Sequence, residues 1–183
     1  GAAVTTTNRQ ATNVGGLCGV CNEITLMNRV GVSGEIMVSG KHSGNTLMVG
    51  GLVGAASANE VAMELRNAFS IGEISVTATH SDAVAGYEKK VGYLFGKMVT
   101  SKGYEIKSVY HYDDIDNTDI LVPFGQLGYS GATEWAADEN IHYVVRNAET
   151  ESLSGDHNGT VKSVKNSQFA GFLNSAYSKE ADY

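Results

Sequence analysis

The sequence predicts an all-β fold built as a β-solenoid, with about three stacked coils and a C-terminal cap that contains a short helix. Three observations point there. The first is a motif written three times, Val14-Gly15-Gly16-Leu17-Cys18-Gly19, Val49-Gly50-Gly51-Leu52-Val53-Gly54 and Val91-Gly92-Tyr93-Leu94-Phe95-Gly96, at offsets of 35 and 42 residues. A unit of that size cannot bury its apolar residues alone and needs neighbours stacked against it. The second is the glycine content, 22 of 183 residues against the single proline Pro123, which favours tight turns and excludes collagen or a proline-rich linker. The third is period-two alternation in short runs such as Ile74-Ser75-Val76, with no helical period of comparable length before residue 130.

The elements follow in chain order. After the first motif come Ile24-Thr25-Leu26-Met27-Asn28 and then Gly34-Glu35-Ile36-Met37-Val38. After the second come a run from Val61 to Asn67 and then Gly72-Glu73-Ile74-Ser75-Val76. The shared Gly-Glu-Ile is a second register mark, so each coil offers three β-prone runs separated by Gly, Ser and Asn. Val61 to Phe69 places Met63 and Leu65 at strand spacing and reads as a strand. Ile106 to Tyr110 takes the place of the Asn28 and Asn67 segments, after which the repeat dissolves into Asp113-Asp114-Ile115-Asp116. Leu17, Leu52 and Leu94 are expected to form an interior ladder, each contributing about 1.5–3 kcal/mol of buried side chain. The glycines are expected to turn corners or to admit crowded backbones.

These repeats occupy residues 1–119, and residues 120–183 are expected to form a capping end segment. In that segment Ile141-His142-Tyr143-Val144-Val145 reads as a strand and Ser154 to Gly159 as a turn. Phe169, Phe172, Leu173 and Ala176 fall on one face of a short helix that Asn166 or Ser167 would cap. Covering the open strand edges is the expected role of this segment. The N-terminal end shows no comparable cover, so the chain is expected to be the terminal slice of a longer array.

Composition excludes several functions. The net charge is −7 and no basic run exceeds Lys89-Lys90, so the counterion-releasing stripe that nucleic-acid binding needs is missing. No run approaches the ~20 apolar residues of a bilayer span, so no membrane insertion is expected. The start Gly1-Ala2-Ala3 is that expected of a trimmed or processed chain from which any export signal has gone. Cys18 and Cys21 form a lone Cys-x-x-Cys. A structural zinc site needs four ligands and a thioredoxin-like site opens a helix, whereas Cys18 takes the place of Val53 and Phe95 and reads as apolar filler. No Gly-x-Ser-x-Gly elbow or phosphate loop occurs, and no cofactor is expected beyond the calcium considered next.

Two constellations carry chemistry. Asp113, Asp114, Asp116 and Asp119, with Asn117 among them, place four carboxylates within seven residues and offer hard oxygen ligands to calcium. Their spacing does not match an EF-hand, and a solvated acidic loop leaving the last coil is the competing reading. Tyr110, Tyr112 and Trp135, with Tyr104 and Tyr129, offer flat aromatic faces for a glycan or a protein surface, unless they pack beneath the cap. Glu35 and Glu73 are equivalent in adjacent coils and form either a solvent-facing ladder or a carboxylate pair on a polysaccharide groove.

The Gly-Gly-Leu-x-Gly motif, followed by a segment with Asn and a Gly-x-Ile run, resembles the bacterial GLUG-motif repeat over roughly residues 12–116. The first two copies match closely, and the third departs with Tyr93 and Phe95. Ser108-Val109-Tyr110-His111-Tyr112-Asp113 resembles the tyrosine-rich end of that family's final repeat, and Val161 to Asn174 the segment that often follows the array. The resemblance implies a right-handed parallel β-helix in an exported or cell-surface bacterial protein, adhesin-like or named as an immunoglobulin A1 peptidase. It implies as partner a host or bacterial surface protein or glycan. None of His42, His80, His111, His142 and His157 is followed by Glu, so a His-Glu-x-x-His zinc protease is excluded. The expected function is a non-enzymatic binding module or rigid stalk. The alternatives are a non-catalytic domain of a peptidase-like protein and a carbohydrate-active enzyme.

Overall fold

A computed structural model describes residues 11–60, 62–81, 87–113, 125–129, 141–145 and 162–165. Its described part is all-β, with every strand pair parallel and no helix among the described residues. The chain makes successive passes over the same set of sheets. The first pass holds β1 (Thr12–Gly15), β2 (Cys18–Asn22), β3 (Leu26–Asn28), β4 (Gly31–Ser33), β5 (Ile36–Val38) and β6 (Lys41–His42). The second holds β7 (Thr46–Gly50), β8 (Val53–Ala58), β9 (Met63–Ile71), β10 (Ile74–Val76) and β11 (Thr79–His80). The third holds β12 (Glu88–Gly92), β13 (Phe95–Thr100) and β14 (Tyr104–Asp113). Beyond residue 119, β15 (Leu127–Tyr129), β16 (Ile141–Val145) and β17 (Lys162–Lys165) join the same sheets.

Among the described residues five sheets result, none closed into a barrel: β1-β7-β12, β2-β8-β13-β15, β3-β9-β14-β16-β17 with β4 also on β9, β5-β10 and β6-β11. The repeated motif sits at the bend between the first two sheets, and its copies align residue for residue. Val14 pairs with Val49 and Val49 with Val91, while Cys18, Val53 and Phe95 form one column. Gly-Glu-Ile is in register as well, with Ile36 opposite Ile74 and Ile36 N–H donating to the Glu73 carbonyl at 2.9 Å. Met63 to Phe69 lies in β9, a strand rather than a helix, and β16 spans the run that reads as a strand in the sequence.

The glycines answer to backbone crowding. A Cβ on Gly54 would stand 2.6 Å from both the Gly19 carbonyl oxygen and the Val14 nitrogen. One on Gly96 would stand 2.6 Å from the Gly54 oxygen and 2.5 Å from the Val49 nitrogen, and one on Gly125 meets Gly96 and Val91 in the same way. These distances leave no room for a side chain, so the last glycine of the motif lets one sheet lie on the backbone of the pass before it. Pairing between β2, β8 and β13 skips this glycine, which puts Val53 and Ala56, and likewise Phe95 and Met98, on the buried side.

The expected leucine ladder is corrected at one end. Leu52 and Leu94 are fully buried, but Leu17 is 47% exposed. Among the described residues the first-pass strands have neighbours on one side only, so Leu17 donates its N–H to the Leu52 carbonyl at 2.9 Å while its outer side stays open. Asn28 and Asn67 are also offset by one residue. Asn28 pairs with Arg66, and the left-handed bend at Asn67 (φ 50°) matches that at Arg29 (φ 54°), with the two asparagine side chains hydrogen-bonded at 3.2 Å. The proposed helix around Phe169 to Ala176 lies outside the described residues.

Candidate functional site

The residues singled out by the sequence do not converge. Asp113 ends β14, while Asp114, Asp116, Asp119 and Trp135 lie outside the described residues. Tyr112 sits in β14, and its side chain is outside the description. Tyr110 departs from the expectation of an exposed face, being only 5% exposed. It stacks in register over Phe69, which in turn lies over Gly31, where a Cβ would run into the Phe69 ring. Burial pushes the Tyr110 hydroxyl above its ordinary pKa. Tyr104 is half-buried and packs against the core. Glu35, exposed, and Glu73, half-buried, immediately precede the paired Ile36 and Ile74 of β5 and β10.

Cys18 and Cys21 are free and half-buried, more open than apolar filler, because the column they head is enclosed only from the second pass on. Cys18 Sγ donates to the Val20 carbonyl at 2.8 Å. Burial, a hydrogen bond with Cys18 and the Cys18 charge push the Cys21 thiol up to about 12, so it stays protonated at neutral pH and is a poor nucleophile.

The first pass presents an open apolar flank. Leu17, Val20, Leu26 and Met37 are exposed there, with Met37 65% accessible, and a cleft of about 580 Å³ opens between Val14 and Gly16 on one side and Val32, Glu35 and Met37 on the other. Among the described residues no strand pairs on the outer side of β1 to β6.

Histidine and tyrosine form two clusters that the sequence reading missed. In the first, parallel pairing of β6 with β11 sets His80 beside His42, and Tyr87 closes over both. The imidazole centroids are 5.5 Å apart, edge to face, and the Tyr87 ring lies 5.0 Å from His42 and 5.3 Å from His80. His42 Nε2 is 2.8 Å from the Tyr87 hydroxyl, while its buried Nδ1 has no hydrogen-bond partner. Burial, and secondarily the charge of His80, lowers the His42 pKa, and burial raises that of Tyr87. In the second cluster Tyr93 stacks on buried His111 at 4.8 Å, and His111 Nδ1 is 3.3 Å from Ser70 Oγ. Tyr93 occupies the second-glycine position of the motif. The matching glycines pack against the matching residues, Gly16 against Val32 and Gly51 against Ser70, so the larger residue on one sheet is answered by an aromatic on the other.

A signal for the first cluster was present: His42 and His80 are 38 residues apart, the same spacing as Glu35 and Glu73. Nothing in the sequence announced Tyr87. Among the described residues no three His, Cys, Asp or Glu side chains gather on a metal-sized site. No protein-family model, curated protein or solved structure matches this chain.

Proposed function

We propose that this chain is a right-handed parallel β-solenoid module of an exported bacterial surface protein, acting without catalysis as a rigid spacer or adhesin-like binding module. The observation that carries the reading is register. The motif returns at 35 and then 42 residues, and every return meets its equivalent in a parallel neighbour. Backbone-to-backbone glycine contacts hold those passes close, and such stacking yields a stiff element whose outer faces are free for recognition. The apolar flank of the first pass, on whose outer side no strand pairs among the described residues, suits contact with another extended chain.

A second reading, a carbohydrate-active enzyme, draws on the adjacency of Glu35 and Glu73. Parallel neighbours stand about 4.8 Å apart, close to the carboxylate separation of retaining glycosidases. Two like charges beside an edge strand serve equally as a solubilising edge. The deciding experiment screens the chain against a glycan and host-protein array and, in parallel, against a polysaccharide panel. Binding without release of reducing ends or unsaturated sugars supports the module. Turnover that disappears in Glu35→Gln or Glu73→Gln overturns it.

A further inference from the structure

We propose that His42, His80 and Tyr87 form an acid-sensitive latch: protonation of His42 releases Tyr87 and unpairs β6 from β11, while the stacked passes stay closed. β6 and β11 are the shortest pair among the described strands, two residues each, with Lys41 beside Thr79 and His42 beside His80. Two backbone hydrogen bonds flank the pair, Thr79 N–H to the Gly40 carbonyl at 3.0 Å and Ser81 N–H to the His42 carbonyl at 2.8 Å. So short a ladder opens readily by itself, and the aromatic cluster over it decides whether it stays shut. Tyr87 immediately precedes β12, where Glu88 donates its N–H to the Asn45 carbonyl at 3.0 Å. The tyrosine therefore ties this corner to the strand that opens the third pass.

The surroundings of His42 suit a neutral ring and oppose a charged one. His42 is only 6% exposed, its Nε2 lies 2.8 Å from the Tyr87 hydroxyl, and its Nδ1 is buried without a hydrogen-bond partner. A charged imidazole carries N–H on both nitrogens, so Nδ1 would become a buried cationic donor with no acceptor. The groups around it offer that charge nothing. From β11, His80 stands 5.5 Å away edge to face and itself turns cationic in acid, and Tyr87, 5.0 Å away, stays neutral because burial raises its hydroxyl. Lys41 on the same strand is exposed and positive, and Lys89 of β12 directs its Nζ to the Val76 carbonyl of β10. Glu88, next to Tyr87, is an exposed residue, and among the described residues no carboxylate pairs with His42. Burial, and secondarily the His80 charge, hold His42 below the ordinary histidine value of 6.5. The open corner thus takes up the proton more readily than the closed one. Closure is favoured in full above pH 6.5 and is lost as the pH falls below it.

The test is amide hydrogen exchange of the full chain, read residue by residue by NMR at about pH 7.5 and about pH 5, the span over which a histidine changes charge. Rates are divided by the intrinsic exchange rate at each pH. The Thr79 and Ser81 amides are expected to lose protection at the lower pH, while the Val53 amide, bonded to the Leu94 carbonyl at 3.1 Å, keeps it. His42→Phe retains an aromatic ring without the titrating nitrogens and is expected to protect Thr79 and Ser81 equally at both values. Should that variant fail to fold, the ¹⁵N shifts of the His42 ring in the parent chain decide the matter. The ring is expected to charge at the same pH at which Thr79 and Ser81 lose protection. Equal protection at both pH values in the parent, a loss that persists in His42→Phe, or a loss shared by Val53 overturns the latch. So does a His42 ring that charges while Thr79 and Ser81 stay protected.

Discussion

The first and second passes carry nearly the same motif and are buried very differently. Leu17 is 47% exposed and its register partner Leu52 is not exposed at all. Cys18 is half-buried where Val53 is enclosed, and the last glycine of the first motif meets only the Asn13 carbonyl where that of the second meets the backbone of a whole neighbouring pass. What a motif residue contributes therefore depends on how many neighbours flank its pass. Apolar identity at the ladder position is a condition for burial, and a pass on each side completes it.

The largest expected effect breaks this comparison at its centre. Leu52→Asp puts a carboxylate into a closed core and is expected to cost more than ~4 kcal/mol, enough to abolish the cooperative melt, while Leu17→Asp costs less than ~1 kcal/mol. Chemical denaturation of the two variants side by side measures the difference, and equal losses would show that the first pass is as enclosed as the second. Next comes Tyr93→Gly, which restores the motif of the earlier passes yet empties the space against His111. About 3–4 kcal/mol should be lost, and His111→Ser in the same chain should recover part of it as a coupling energy. Gly54→Ala follows at about 2–3 kcal/mol, because its Cβ has only backbone to meet, with Gly19→Ala nearer 1 kcal/mol.

The smallest expected effect is a pH dependence. The Cys21 thiol is raised above its ordinary value of 9.0 to about 12, so the folded chain keeps a proton that the unfolded chain releases. That contribution is fully present below pH 9 and fades as the pH climbs toward 12, and the raised Tyr87 and Tyr110 hydroxyls act in the same direction above pH 10. Thermal melts from pH 8 to pH 11 should show a falling midpoint, with a shallower fall in Cys21→Ala.

Much of the architecture was legible because register leaves a periodic trace. The columns Cys18-Val53-Phe95 and Ile36-Ile74 follow from aligning the sequence with itself. Leu17 escaped because enclosure is a property of the stack rather than of the residue. Tyr110 escaped because composition shows an aromatic but not the Phe69 beneath it. The paired histidines were written in the period, yet a histidine read for protease motifs is not read for its partner one pass later. Tyr87 joins them from outside any repeat unit, so only the folded chain reveals it.

The spacing between passes is elastic where the register is rigid. Asn22 pairs with Ser57, 35 residues on, and Leu26 with Glu64, 38 residues on, so the second pass takes up three additional residues between those strands. His42 meets His80 at 38, whereas Thr46 meets Glu88 at 42. For the gene this amounts to two kinds of DNA. Codons for the two connections where the period changes, between Ala58 and Met63 and between His80 and Glu88, lie outside any strand register. A single inserted codon within Val53–Ala58 would turn every following side chain of that strand from core to solvent. Length variation among descendants of this sequence should accordingly gather in those two connections.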